Sequence, residues 1–191
     1  FELLRPLGLT EIPKLDAIIK ATETFQPQKE TLPEPFETLE NYVILHPKSQ
    51  GSAREWPMEK YVGLAERLTE SGRTVVFTGT ENEGLLFRDQ LPENDKILDS
   101  TGKLSLQQLI TLIGQSNGLI ACSTGPLHIA GYSGITAVGL FSPQRPIHPG
   151  RWKALGPKVK ILVGPEGGSS DPDYNCLSEI TVDDAFEALT S

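Results

Sequence analysis

The chain has 191 residues, of which 38% are hydrophobic and 22% charged, the proportions of a globular protein with a sizeable core. Its formal charge of −8 argues against binding to nucleic acid or to an anionic membrane, because both require clustered lysine and arginine. No apolar run approaches the roughly 20 residues of a membrane span, and no signal peptide is recognisable.

Residues 1–40 differ from the rest of the chain. A helix is predicted over residues 11–25, where apolar residues recur at helical spacing. Three prolines in the polar stretch that follows predict an extended connector (Pro27, Pro33 and Pro35). Because the sequence begins with Phe1 rather than methionine, we expect it to be a piece of a longer protein.

Residues 41–191 alternate between apolar strands and amphipathic helices. The patterns predict strands over residues 42–45, 74–78, 97–98, 119–122, 136–141 and 159–163. Helices are predicted over residues 57–71 and 81–90, and from Ser105, Pro126 and Thr181 onward, with capping boxes after Ser105 and Thr181. Strands that are apolar throughout indicate a parallel sheet with helices on both faces.

The most informative turn follows the fourth strand. There an apolar run meets Ser123, Thr124 and Gly125, and Pro126 opens a helix, a position that suits proline. The first backbone N–H groups of a helix have no intrahelical partner, and the helix dipole adds positive potential. This turn is therefore predicted to bind phosphate, at the carboxyl edge of the sheet where ligands of such folds bind.

A second turn, after the first strand, has similar chemistry. It contains Ser49, Gly51 and Arg54, and the Arg54 guanidinium has the geometry to bind phosphate oxygens through two donors. A solvated loop charge is the alternative interpretation of Arg54, and Lys48 is a weaker candidate for the same contact. Two such turns at one sheet edge favour a diphosphate ligand.

Three further positions are candidates for the same site. His128 lies in the first turn of its helix, where its ring can bind phosphate or ribose, or simply a backbone carbonyl. Thr78 and Gly79 form a third turn at the same edge, where glycine permits close backbone approach, although an ordinary strand-to-helix turn explains them better. The backbone next to Leu104 offers groups that can bind a nucleobase.

Other kinds of site are disfavoured. Cys122 and Cys176 lack the spacing of a zinc site or disulfide framework, which favours a reducing, cytoplasmic location. Asp171 and Asp173 flank a proline, an arrangement more typical of a turn than of a metal site. No general base stands in these turns apart from Glu55, which is expected to pair with Arg54. No metal or cofactor is predicted.

Residues 46–57, 77–79 and 123–130 together resemble glycosyltransferase family 9, the ADP-heptose:lipopolysaccharide heptosyltransferases, and residues 3–8 and 139–143 extend the match. The resemblance implies a GT-B enzyme with two Rossmann-like domains facing a cleft. Residues 1–40 would be a helix and proline-rich connector from an N-terminal domain that is not part of this sequence. Residues 41–191 would be the C-terminal domain, which binds the nucleotide sugar. The implied reaction is inverting, metal-independent transfer of a heptose from its nucleotide diphosphate to an acceptor hydroxyl of the lipopolysaccharide core.

The resemblance also assigns roles to residues. It places Arg54 on the donor diphosphate, where it would stabilise the leaving group, and the turn from Ser123 to His128 around the phosphates and sugar. Many members of the family carry aspartate where this chain has Ser123, which puts the identity of the sugar in doubt. The residues predicted to bind the donor are Ser49, Gly51, Arg54, Thr78, Gly79, Leu104, Ser123, Thr124, Gly125, Pro126 and His128.

The remaining partners follow from the same resemblance. The general base and the site for a lipid-linked saccharide acceptor would lie on the absent N-terminal domain, which would also make any peripheral contact with the inner membrane. The isolated chain is therefore expected to be inactive. Alternative functions are a nucleotide-sugar 2-epimerase, a GT-B transferase for another sugar, and a non-catalytic module that binds nucleotide sugars.

Overall fold

The computed structural model describes residues 2–8, 11–167 and 174–191, with side chains from residue 5 onward. Its centre is a six-stranded sheet. The strands are β1 Tyr42–His46, β2 Thr74–Phe77, β3 Ile97–Asp99, β4 Gly118–Cys122, β5 Thr136–Phe141 and β6 Val159–Val163. β1, β4 and all of β5 beyond its first residue are buried, as expected of central strands covered on both faces.

The strand order is β3-β2-β1-β4-β5-β6, and every neighbouring pair is parallel. The direction of winding reverses between β1 and β4, where His46 lies beside Ala121. In a doubly wound sheet the loops on either side of this reversal diverge and leave a crevice at the carboxyl ends of the strands. The topology therefore places the ligand crevice between the loops that follow β1 and β4.

Helices cover both faces of the sheet. They are α1 Leu15–Thr22, α2 Met58–Glu70, α3 Glu81–Gly84, α4 Leu106–Gln115, α5 Gly125–Tyr132, α6 Pro149–Trp152 and α7 Val182–Thr190. Short 3-10 helices span Glu2–Leu7, Phe36–Thr38, Arg88–Gln90 and Cys176–Glu179. α2 and α7 pack together on one face, and α4 and α5 on the other. None of the helices in the described ranges is long and apolar enough to cross a membrane.

The connector predicted between residues 26 and 40 packs on the sheet domain. Leu32 and Phe36 are buried in the same apolar cluster as residues of α4 and α5. Gln108 of α4 donates a hydrogen bond from its side chain to the Thr31 carbonyl at 3.0 Å. The connector thus covers part of the α4 and α5 face.

Two predicted helices are shorter than the sequence pattern indicates. The helix predicted over residues 81–90 is a single turn, α3, followed by a 3-10 turn. Phe87 leaves helical geometry at φ −143°, and its buried ring packs on Phe77 at 5.9 Å between ring centroids. At the N-terminus, the helix predicted from residue 11 begins only at Leu15. Pro13 explains this, because the residue before a proline is disfavoured in helical geometry.

The predicted capping boxes are confirmed. Ser105 with Gln108 and Thr181 with Asp184 each exchange reciprocal hydrogen bonds at the start of α4 and α7. The sequence carries the same pattern at α3, where Thr80 and Glu83 form a third box. These boxes fix where three helices start, and two of them, at α3 and α4, stand on the rim of the crevice.

The position of α5 depends on a close backbone approach. A Cβ atom at Gly131 would lie 2.6 Å from the Leu155 carbonyl oxygen and 3.2 Å from Ala154. We expect Gly131→Ala to destabilise the fold by about 1–3 kcal/mol, because the loop must move away from the helix. In Gly114→Ala, the control in α4, the new methyl meets only Ser133 Oγ at 3.8 Å. This control should be stabilising by about 0.5–1 kcal/mol. Thermal melts of both variants test the contrast, and equal melting temperatures would contradict it.

Candidate functional site

A cleft of about 740 Å³ opens at the carboxyl edge of the sheet. Loops after β1, β2, β3 and β4 all contribute to it. The residues that line it are His46, Lys48, Ser49, Gln50, Ser52, Gly79, Thr80, Glu81, Glu83, Gly102, Leu104, Ser105, Leu106, Leu109, Thr124, Gly125 and Pro126. An adjoining recess of about 460 Å³ shares Lys48, Gln50, Thr80 and Glu83 with the cleft. The cleft therefore lies where the reversal of strand order leaves a crevice.

The structure brings together part of the predicted donor site. Predicted residues that line the cleft are Ser49, Gly79, Leu104, Thr124, Gly125 and Pro126. Gly51 lines the adjoining recess instead. Among the described residues, those that lie outside both linings are Arg54, Thr78, Ser123 and His128. The two predicted phosphate turns nevertheless face one cleft.

The start of α5 forms one wall of the cleft. Thr124 precedes the helix, but its hydroxyl donates to the Cys122 carbonyl at 3.3 Å and caps no backbone amide of α5. Pro126 stands in the first turn, and a Cβ atom at Gly125 would meet nothing within 4 Å. Pro126 has no N–H, and the Leu127 N–H donates to the Thr124 carbonyl at 3.2 Å. The Gly125 N–H is thus the amide of the first turn that borders open space with no side-chain cap, at the helix end where anions bind.

The loop after β1 is organised by Glu55. Its carboxylate accepts hydrogen bonds from Ser49 N at 2.8 Å, Ser49 Oγ at 3.0 Å and Lys48 Nζ at 2.8 Å. Partial burial favours the protonated acid, but the hydrogen bonds from Lys48 and Ser49 outweigh it and hold the pKa of Glu55 below its ordinary value. The prediction that Glu55 pairs with Arg54 is wrong, because the Glu55 carboxylate pairs with Lys48 instead.

Arg54 points toward the C-terminal segment. Its Nη1 donates to the Tyr174 carbonyl at 3.2 Å. Two residues on, Trp56 is buried and donates from Nε1 to the Ile180 carbonyl at 3.1 Å. A guanidinium has five N–H donors, so a single bond to Tyr174 leaves others with which to bind a phosphate. The contact holds the arginine at the base of the loop.

Thr78 forms a hydrogen bond with a buried histidine. Its hydroxyl lies 2.9 Å from His46 Nδ1, and both side chains are buried, His46 at the point where β1 ends. Burial lowers the pKa of His46, although the charges of Glu83 and Glu55 partly oppose this. A neutral imidazole therefore stands at the floor of the cleft at neutral pH.

The lowered pKa of His46 predicts an acid-sensitive fold. Below the ordinary histidine pKa of 6.5 the unfolded chain takes up a proton that the folded chain resists, so stability falls as the pH falls below that value. We expect His46→Gln to lose less melting temperature between pH 7.0 and pH 5.0 than the unsubstituted chain does. Parallel loss in both proteins, measured by circular dichroism, would contradict this assignment.

His128 and Ser123 lie on the α5 side of the site. Both are half-buried, and burial lowers the pKa of His128. Their proposed contacts with phosphate or sugar remain predictions, since neither lines the cleft.

Several cleft residues were missed by the sequence analysis. Glu83 is buried and accepts hydrogen bonds from Thr80 N at 2.7 Å and Thr80 Oγ1 at 2.9 Å, and Glu81 stands beside it on the rim. The Thr80-x-x-Glu83 capping pattern was the available signal. Leu106 and Leu109 join Leu104 in an apolar wall. They begin a helix whose orientation the sequence alone does not reveal.

A salt-bridge network supports the loop that carries Leu104. The Arg88 guanidinium binds Asp99 at 2.6 Å, Glu81 at 3.0 Å and Thr101 at 2.8 Å. Gly102 follows at φ +72°, and its N–H donates to the Gly79 carbonyl at 3.1 Å. The loops after β2 and β3 are therefore joined into one wall of the cleft.

No group of three or more histidine, cysteine, aspartate or glutamate side chains within residues 2–8, 11–167 and 174–191 is placed to hold a metal ion. Asp171 and Asp173 lie outside the described residues.

Comparison of the chain with known proteins identifies its family. Residues 6–180 match the sequence model of glycosyltransferase family 9 (heptosyltransferase). The chain belongs to glycosyltransferase family 9. The resemblance carried by residues 46–57, 77–79 and 123–130 is thereby confirmed.

Individual relatives support the assignment to family 9. It is 25% identical over 149 residues to the lipooligosaccharide heptosyltransferase 2 of Haemophilus influenzae and 23% identical over 151 residues to that of Haemophilus ducreyi. Each match covers 73% of this chain and 43% of the relative. The chain thus spans less than half the length of these heptosyltransferases.

Solved structures share its fold. The chain superposes on the E. coli ADP-heptose lps heptosyltransferase II with a TM-score of 0.67 at 19% identity, covering 94% of this chain and 51% of the other. A family 9 glycosyl transferase from Veillonella parvula gives 0.65 at 20% identity, with coverage of 98% and 56%. E. coli heptosyltransferase WaaC with ADP gives 0.67 at 16%, with coverage of 96% and 52%. The predicted Rossmann-like parallel sheet is confirmed.

Proposed function

We propose that this chain is the donor-binding half of a heptosyltransferase that transfers a heptose, with inversion, from ADP-heptose to an acceptor hydroxyl of the lipopolysaccharide-core type. The observation that carries the proposal is the cleft at the strand-order reversal, lined by both predicted phosphate turns. Family membership and the heptosyltransferase relatives support the sugar and the acceptor.

The chemistry of the cleft suits a nucleoside diphosphate. The uncapped start of α5 offers the Gly125 N–H and a favourable dipole to the diphosphate. Across the cleft, Leu104, Leu106 and Leu109 present an apolar surface on which a nucleobase can pack.

In the transfer step these groups act on the leaving diphosphate. As the bond between the sugar and the diphosphate breaks, negative charge grows on the phosphate oxygens, and α5 together with Arg54 stabilises it without a metal. The acceptor hydroxyl attacks the opposite face of the sugar and loses its proton to a base. We assign that base and the acceptor site to an N-terminal domain preceding residues 1–40, so this chain alone should not catalyse transfer.

Calorimetric titration of the chain with ADP, UDP and GDP tests the donor assignment. ADP should bind more tightly than the other two. Tighter binding of UDP or GDP would point to a transferase for another sugar. The full-length enzyme should release ADP from ADP-heptose only when a lipopolysaccharide-core acceptor is present, whereas an epimerised nucleotide sugar without acceptor would favour the 2-epimerase.

A further inference from the structure

Lys48 stands at the junction of the cleft and the adjoining recess, and it lines both. Its Nζ lies 2.8 Å from Glu55 Oε2 in an ion pair whose side chains are 21% and 31% exposed. Glu55 lines the recess but not the cleft. Lys48 therefore borders both spaces, whereas Glu55 borders the recess alone.

The donors around Glu55 form the kind of set that binds a phosphate. An ammonium, a hydroxyl and a backbone N–H, from Lys48 and Ser49, converge on one carboxylate at 2.8–3.0 Å. Charge-assisted bonds of this kind suit any compact oxyanion. Glu55 thus accepts hydrogen bonds that Lys48 and Ser49 could otherwise donate to a phosphate.

The two oxygens of Glu55 differ in how firmly they are held. Oε1 accepts from the N–H of buried Ser49 and faces its hydroxyl, which also lies 3.0 Å from the Ala53 carbonyl oxygen. Oε2 accepts from the Lys48 ammonium. A partly exposed lysine–carboxylate pair contributes little to stability, so its exchange costs little. Lys48 is the member of the pair that can move.

We infer that Lys48 and Glu55 form an exchangeable ion pair that sets the affinity of the diphosphate site. Lys48 leaves Glu55 for the diphosphate of the bound nucleotide, while Glu55 remains on Ser49 and opposes the ligand by its charge. Lys48 thus favours capture of the donor, and Glu55 limits how tightly the diphosphate product is retained. This inference rests on the proposed diphosphate site and deepens it.

Titration of the chain with ADP, and with adenosine as the ligand without phosphate, tests the exchange. Lys48→Met should weaken ADP binding about tenfold, the loss expected for one charge-assisted bond. Glu55→Gln keeps an oxygen for Ser49 but removes the negative charge, and it should tighten ADP binding about threefold. Neither change should alter adenosine binding by more than about twofold. Lys20→Met, on exposed α1, is the charge control and should bind ADP normally.

The double variant separates an exchange from two independent effects. In a Lys48→Met background, Glu55→Gln should tighten ADP binding less than it does in the unsubstituted chain, because no lysine remains to be released from Glu55. Equal tightening in both backgrounds would show two independent effects and would overturn the exchange. Unchanged ADP affinity in Lys48→Met, with a normal melting temperature, overturns the inference. Weaker ADP binding in Glu55→Gln with a normal melting temperature does so too, because Glu55 then supports the ligand.

Failure of the proposed function would give a different result in these titrations. If UDP or GDP binds in place of ADP, the ADP-heptose assignment fails while the same variants test the exchange with the nucleotide that binds. If Glu55→Gln lowers the melting temperature, Lys48→Met alone decides. Absence of binding by all three nucleoside diphosphates overturns both proposals.

Discussion

Replacing Arg54 with alanine in the full-length enzyme is expected to lower kcat/KM about 10²-fold, the loss typical of a single donor that acts in the transition state. The expectation follows from the family resemblance and from the place of Arg54 on the loop that contributes Lys48 and Ser49 to the cleft. The guanidinium would stabilise charge on the leaving diphosphate, so kcat should fall more than KM rises. Steady-state kinetics with ADP-heptose measure both.

The contact of Arg54 with the Tyr174 carbonyl offers a structural alternative, which controls must separate. Arg54→Lys retains the charge but not the forked donor geometry, and it should recover part of the activity. Arg73→Ala removes an arginine just before β2, at the opposite edge of the sheet, and should leave kcat/KM unchanged. If Arg54→Ala lowers only the melting temperature and turns over normally, the arginine merely anchors the loop.

Adding a single methyl group at Gly125 is expected to weaken ADP binding about tenfold without unfolding the chain. The new Cβ would meet no protein atom within 4 Å, and Gly125 lines the cleft at the first turn of α5. The methyl therefore costs little in the free protein but occupies the space through which a phosphate would approach the Gly125 N–H. Calorimetric titration of Gly125→Ala with ADP measures the loss.

Gly114→Ala provides the matched control, since it makes the same change inside α4 and away from the cleft lining. It should bind ADP as the unsubstituted chain does. Equal ADP affinities for Gly125→Ala and Gly114→Ala would show that the start of α5 does not contact the diphosphate. A large drop in melting temperature for Gly125→Ala alone would mean that the glycine serves the fold.

Strands and helix starts could be predicted from the sequence because their signals are local. β5 and β6 end at the residues where their apolar runs end, and Ser105 and Thr181 carry their capping partners three residues ahead. The extent of α3 could not be predicted, because it is decided by the packing of Phe87 on Phe77, a residue ten positions away in another element. Local periodicity contains no information about that contact.

The candidate site, like the fold, could be predicted only in part. The turns predicted to bind phosphate could be located, since glycine, serine and proline at strand ends determine the backbone, and Ser49, Thr124 and Gly125 do line one cleft. The hydrogen-bonding partners of the charged side chains in the loop could not be predicted. Lys48, seven residues before Glu55, reaches its carboxylate, whereas the adjacent Arg54 turns to Tyr174. Such choices depend on the direction of each side chain, which becomes known only with the folded loop.

Hydrogen bonds from Arg54 to Tyr174, from Asn175 to the Glu55 carbonyl, and from Trp56 to Ile180 bind the loop after β1 to residues 174–180. Since Lys48 and Ser49 of the same loop line the cleft, we expect a ligand that orders this loop to stabilise the docking of residues 174–180 as well, and that docking to favour the ligand by the same free energy. Nucleotide added at one side of the molecule should slow amide hydrogen exchange in α7 at the other, although α7 contributes no cleft residue.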